Sequence, residues 1–321
     1  MKKIYIFLVI ILSSITTYSQ EIYFSQYYAD KLSINPAFSG LKECKEINLI
    51  LKHQWPNIGN GYKTYCASYI QNLNRCGIGF RTYGTSSGET FYNNYFAVSY
   101  STKVKLTRRF RCSAGIEISY FNQKIKQNNL VYYSMIDPSN GNISGLQEYT
   151  DIPTNNLLDL SLGLMIFDNK TIASVAIYNI VNFDISNNND RDNKIISALL
   201  SHKINIPHLI KNQKYETSYL IPSIIYRRQC STNTIQAGIY LDSYPLIAGI
   251  TYRIEKNEYK ASAIIASIGI SVKNIQIGYG HDFEISPIIK KTYGTHEIAV
   301  KYKLGNNKKN EGRQTILCPA F

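Results

Sequence analysis

Past residue 20 the chain has no stretch approaching roughly 18 consecutive apolar residues, so no helix in it could span a bilayer. Charge is scarce: 18% of residues are Asp, Glu, Lys or Arg, below the usual quarter or so. The six cysteines (Cys44, Cys66, Cys76, Cys112, Cys230 and Cys318) follow neither a small-domain disulfide framework nor the spacing of a metal site. The histidines His53, His202, His208, His281 and His296 form no HExxH pair, and none is spaced with Cys for zinc. A GxSxG elbow, a P-loop and a Rossmann glycine fingerprint are all missing. His281 and Asp282 beside Ser286 have the composition of a triad. But a triad needs the serine hydroxyl on the imidazole and an oxyanion hole, and neither shows in the sequence. These absences point away from an enzyme and from any cofactor or metal. The net charge of +13 does not imply nucleic acid in an exported chain; anionic headgroups, acidic glycans or an acidic protein would serve as well.

Export is read from the first residues. Lys2 and Lys3 precede the apolar run Ile4 to Leu12, and Thr17 and Ser19 supply small residues for cleavage before Gln20. Residues 1–19 are therefore expected to be a signal peptide, with no cysteine after the cleavage point to carry a lipid. Residues 20–43 show no sustained period, and Pro36 and Gly40 break any strand there. Their aromatics Tyr23, Phe24, Tyr27, Tyr28 and Phe38 need burial, which a plug in a barrel lumen or a periplasmic collar would provide.

From residue 44 to 304 one pattern recurs. In the segment 274–283, Ile275, Ile277, Tyr279 and Phe283 share one face, while Gln276, Gly278, Gly280 and Asp282 share the other. Ile298, Val300, Tyr302 and Leu304 repeat it, as do Leu158, Leu160, Leu162, Leu164 and Ile166 against Asp159, Ser161 and Gly163. Period-2 alternation marks strands with one apolar and one polar face. The expected strands lie near 44–55, 61–71, 75–83, 90–102, 110–120, 158–166, 170–181, 194–206, 215–228, 232–241, 244–254, 259–272, 274–283 and 297–304. Pro222 argues for an edge, a bulge or a short strand in the ninth.

Such strands suit a half-buried soluble sheet or a membrane barrel, and the connections decide between them. With both termini in the periplasm, the turns on that side are short: NLNR, VKLTRR, DNK, DS and KN, with PHLIKNQK the one longer turn. The other side carries PNIGN, GTSSGE, the very long 122–156, then 182–193 and 284–293. Short turns on one side and long polar loops on the other mark outer-membrane barrels. The expected fold is thus all-β: a transmembrane antiparallel outer-membrane β-barrel of about 14 strands, an even number, with periplasmic termini. Gly, Ser, Asn and charged residues would line its lumen, and outer-membrane lipid would cover its apolar face. Residues 305–321 follow the last strand as a basic periplasmic tail, and Lys103–Arg111 form a basic periplasmic turn. Cys44 and Cys318, outside the strand pattern near the two chain ends, are a candidate disulfide; Cys112 continues an apolar face and is expected to pack there.

Phe24-Ser25-Gln26-Tyr27-Tyr28 and Asn35-Pro36-Ala37-Phe38-Ser39-Gly40 look like an FSQY…NPAYAG opening. Gln54-Trp55-Pro56, Gly77-Ile78-Gly79-Phe80 and Gly88 follow in order. Then come Pro153 before the strands 157–167 and 173–180, Tyr279–Phe283, Gly294-Thr295-His296-Glu297-Ile298, and a Cys318-Pro319-Ala320-Phe321 ending. As an ordered set across the mature chain these motifs resemble the PorP/SprF outer-membrane proteins of the Bacteroidetes type IX secretion and gliding motility system. His281, Ser39 and Thr295 depart from that family's pattern. The resemblance implies a non-catalytic barrel that binds the C-terminal sorting domain of a secreted adhesin-like cargo and anchors it at the cell surface. It also implies cooperation with periplasmic secretion and motility components. Under it, Tyr132, Tyr133, Met135 and Tyr149 in the long loop are candidate partner contacts, since aromatics and Met supply adaptable burial; a loop folded over the pore is the alternative. A diffusion pore for small solutes is the competing function.

Overall fold

The structure, a computed structural model, describes residues 24–41, 45–73, 75–88, 90–126, 130, 135–137, 142–143, 154–181, 183–185, 194–212, 215–230, 232–255, 260–285 and 292–304. Strands β1 (Lys45–Gln54), β2 (Tyr62–Leu73), β3 (Cys76–Ser87), β4 (Phe91–Lys105), β5 (Arg111–Ile125), β6 (Asn155–Phe167), β7 (Thr171–Tyr178) and β8 (Phe183–Asp184) form the first half. The second half holds β9 (Ile195–His202), β10 (Ile204–Asn212), β11 (Tyr215–Gln229), β12 (Thr232–Ser243), β13 (Leu246–Glu255), β14 (Lys260–Val272), β15 (Ile275–Glu284) and β16 (Thr295–Leu304). Every pairing between these strands is antiparallel, and β1 pairs with both β2 and β16. The opposite seam closes through β7–β9 and β9–β11. The short β8 prolongs the track of β7 along β6, and β10 prolongs that of β9 along β11. The ring therefore has 14 staves. A closed ring gives each stave two neighbours, so no unpaired edge meets the surroundings.

The alternation runs inside out relative to a soluble protein. Along β4, Phe96, Val98 and Tyr100 are 55%, 52% and 49% exposed, whereas Ala97, Ser99 and Ser101 between them are buried. Leu162, Leu164 and Ile166 on β6 and Ile268 and Ile270 on β14 also face out, while Glu46, Lys52, Arg81, Glu117, Asp282 and Glu297 are buried. An apolar belt around the whole ring is far larger than the patches soluble monomers expose. Lipid is the surrounding in which it costs nothing. Most staves have 10–15 residues, enough for the roughly 9–11 needed to cross.

Some strands run further than the alternation alone indicates. β3 continues to Ser87, so GTSSGE is mostly strand, paired with β4 up to Ser87↔Phe91. β10 takes in most of PHLIKNQK, which removes the one long turn from the terminal end. In β3 the extension is carried by pairing with β4, which continues past the alternating segment to the last residue of the strand. β11 is neither an edge nor short, and Pro222 sits inside its 15 residues. Its other neighbour changes there: the pairing passes from Ser223↔Ser201 on β9 to Leu220↔Ile204 on β10, across a break at Lys203. The imide, which has no N–H to donate, falls beside that break.

Candidate functional site

Residues 24–41 lie in the lumen. They touch the inner face of staves all round the ring, and each is buried. Two 3-10 turns, Lys31–Ser33 and Pro36–Gly40, shape the segment. Asn35 caps the second turn, its Oδ1 accepting from the Ala37 N–H at 2.8 Å with Pro36 at the first position. The same amide donates through Nδ2 to the carbonyls of Leu164 (3.0 Å) on β6 and Val175 (2.9 Å) on β7. Ser113 of β5 donates to the Ala37 carbonyl at 3.0 Å, and Tyr178 of β7 to that of Leu32 at 2.6 Å.

Glycines in the wall make this docking possible. Gly77 lies directly against Gly40, Gly115 against Ala37, Gly163 against the Asn35 amide and Gly79 against Leu32. A Cβ on Gly77 or Gly115 would enter plug backbone, which cannot swing aside. Absence of a side chain is what these positions contribute.

At the loop end of the lumen the contacts are ionic. Glu297 on β16 accepts from the Ser25 N–H (Oε2, 2.9 Å) and the Gln26 N–H (Oε1, 2.8 Å), and its own carbonyl accepts from Gln26 Nε2 at 3.0 Å. Ser25 Oγ donates to Asp282 Oδ2 at 2.7 Å and accepts from Arg253 Nη2 at 2.9 Å, while Arg253 and Asp282 pair at 2.9 Å. Lower in the lumen Asp30 pairs with Arg81, midway along β3, at 3.3 Å, and Lys31 pairs with Glu46, at the terminal end of β1, at 3.6 Å. Tyr27, Tyr28 and Tyr240 pack edge to face with ring centres 5.0–5.5 Å apart. The plug thus climbs from Gly40 near the terminal end to Ser25 near the loop end. A cavity of about 30 Å³, lined by Phe24, Tyr27, Ser197, Arg227 and Gln236 among others, remains beside it.

The motif residues sort by this contact. Phe24, Gln26, Tyr27, Asn35, Pro36 and Gly40 belong to the plug, and Gly77, Gly79 and Glu297 receive it. Gln54, Trp55, Gly294 and His296 gather instead at the loop-end rim, where Gln54 pairs with Thr295. There the Trp55 N–H donates to the Gly294 carbonyl at 3.0 Å and its indole donates to Glu284. Trp55 and Gly294 both have positive φ, 53° and 70°. His281 and Asp282 lie on opposite faces of β15, out and in, so they cannot share a substrate; Ser286 lies outside the described residues. Of the loop candidates Met135 is buried, while Tyr132, Tyr133 and Tyr149 lie outside the described residues, as do Cys44, Cys318, the leader 1–19 and the tail 305–321. Sequence reasoning did not single out Arg81, Arg253 or Asp30 as functional; for Arg81 and Arg253 the signal was charge on the non-lipid face, and Asp282 was noticed only as a triad-like neighbour of His281.

At the terminal end the turns are basic. Burial would raise the Asp168 carboxyl, but the N–H groups of Lys170 and Thr171 and the Arg109 guanidinium hold it below the usual carboxylate range. This buttresses a turn that otherwise displays Arg108, Arg111 and Lys170 to solvent.

A closed antiparallel ring with an apolar exterior and a filled polar lumen is an outer-membrane β-barrel. Among solved structures the chain resembles the Acinetobacter baumannii outer membrane protein Omp33 (9% identity, TM-score 0.45, covering 82% of this chain and 99% of that one). It also resembles the CymD monoaromatic hydrocarbon channel (12%, 0.46, 87% and 93%) and the Ralstonia pickettii toluene transporter TbuX (11%, 0.45, 85% and 92%). No curated protein matches the chain in sequence. Residues 16–302 match the family described as type IX secretion system membrane protein PorP/SprF, and the chain belongs to that family.

Proposed function

We propose that this barrel is a non-catalytic anchor of the type IX secretion system, binding the C-terminal sorting domain of a secreted adhesin-like cargo and holding it at the cell surface. The observation that carries the reading is the filled lumen. A barrel whose interior is occupied by its own residues 24–41 has only its outer surfaces to offer a partner, which counts against a diffusion pore for small solutes. We place the termini and the basic turns in the periplasm, beside the secretion and motility components, and the loop end at the cell surface. The long connections 126–154 and 185–194 at the loop end support this orientation. In this reading residues 1–19 direct export, and the long loop that carries Met135 contributes to the cargo contact.

Deleting the gene should release one large surface protein into the medium while other secreted proteins keep their distribution. Fractionation with mass spectrometry reads the outcome. Unchanged retention of every surface protein would remove the anchoring role.

A further inference from the structure

Three histidines stand abreast on the outside of the barrel: His53 on β1 is paired with His296 on β16, and His296 with His281 on β15. Their strand neighbours Lys52, Asp282 and Glu297 are buried in the lumen, so the imidazoles project outward at the loop-end rim. Two of them meet. His281 Nδ1 and His296 Nδ1 are 3.3 Å apart, and the Tyr279 hydroxyl lies 2.8 Å from the same His296 nitrogen.

That nitrogen has either one proton or one lone pair. With a proton, a single donor is divided between the Tyr279 oxygen and the His281 nitrogen. With a lone pair, a single acceptor serves two donors. In both states one contact is poorly used. A cation between the two Nδ1 lone pairs would use both nitrogens fully. With metal–nitrogen bonds of about 2.0–2.1 Å at a tetrahedral angle, two imidazole nitrogens stand roughly 3.3 Å apart, the separation seen here.

The pair is also held in place. The His281 ring packs edge-on against Phe283 with centres 4.4 Å apart. On its other side it lies over Gly294, where a Cβ would come within 3.2 Å of the ring. Gly294 is fixed in turn by the Trp55 N–H. We propose that His281 and His296 form a binding site for a divalent transition cation of the Cu²⁺, Ni²⁺ and Zn²⁺ group, held through the two Nδ1 atoms. Among the described residues no three His, Cys, Asp or Glu groups converge to hold a metal, so these residues supply two ligands and leave the remaining positions open. Those open positions face away from the barrel, where a ligand from outside can enter. Imidazole selects this group of metals, and Cu²⁺ binds tightest within it.

The chain has one tryptophan, and Trp55 bonds to Gly294 beside the pair, so paramagnetic Cu²⁺ bound there will quench its emission. Titrating Cu²⁺ into the detergent-solubilised full chain should give saturable quenching, reversed by excess Zn²⁺ or by a chelator. His281→Ala and His296→Ala should each raise the midpoint about tenfold or more, as loss of a ligand demands, while His202→Ala at the other end of the barrel leaves it unchanged. Zn²⁺ reversal in the unsubstituted chain keeps the test valid even if a variant fails to fold. Quenching that never saturates, that Zn²⁺ does not reverse, or that survives both substitutions would overturn the site. So would a midpoint that moves with His53→Ala and not with His281→Ala.

Discussion

Removal of residues 24–41 will turn a barrel that does not conduct into one that does. In planar bilayers the full chain should show no stepwise conductance, because residues 24–41, all buried, occupy the lumen from its terminal end to its loop end. Without the plug, the lumen keeps a lining of Glu46, Lys52, Arg81, Glu117 and Asp282, a wall that water and ions will wet. The staves should survive, since their pairing closes the ring through β1–β16 and β9–β11 with no backbone partner from the plug. Heat-modifiable gel migration of the deletion protein would verify that the barrel still forms. Stepwise currents from the full chain, or none from a folded deletion protein, would contradict the plug's role.

The second large effect is expected from Glu297→Ala. This carboxylate is the acceptor for two plug N–H groups and the cross-strand partner of Lys52, and both Glu297 and Lys52 are buried. Its removal orphans two buried plug N–H groups, each costing about 1–3 kcal/mol unless water reaches it. The loss falls on the plug's loop end and not on the staves, since Glu297 keeps the barrel together only through its backbone. Hydrogen exchange in the segment 24–30 should speed up at least about a hundredfold, the equivalent of roughly 3 kcal/mol of local opening, while exchange in β1–β6 stays unchanged. Glu297→Gln, which keeps one acceptor oxygen, should fall between. Equal exchange in all three proteins would mean that the carboxylate does not hold the plug.

Much of this fold is written in short-range pattern. Alternation in segments such as 158–166 and 274–283 places the apolar side chains outside and Gly, Ser and charge inside, because strand periodicity is local and survives any tertiary setting. Strand ends are less visible. Ser86 and Ser87 extend β3 although their composition is that of a loop, and Pro222 is tolerated only because its neighbouring stave breaks at Lys203, a fact belonging to residues about twenty positions away. The need to bury Phe24, Tyr27 and Phe38 was evident from their type. Their destination was not, since Ser25 meets Glu297 across 272 positions and no local signal links the two. The idea of a His281–Asp282 pair fails on the same periodicity that reveals the strands: adjacent residues on a strand face opposite ways.

Nitroxide accessibility along β4 tests the whole account most directly. With spin labels placed one at a time on a cysteine-free chain in lipid vesicles, positions 96, 98 and 100 should be relaxed by oxygen dissolved in the bilayer. Positions 97, 99 and 101 should be reached neither by oxygen nor by a water-soluble nickel complex, because the plug covers them. Nickel relaxation at 99 and 101 would mean an open aqueous lumen, and nickel relaxation at 96, 98 and 100 would mean that water, not lipid, surrounds the apolar face.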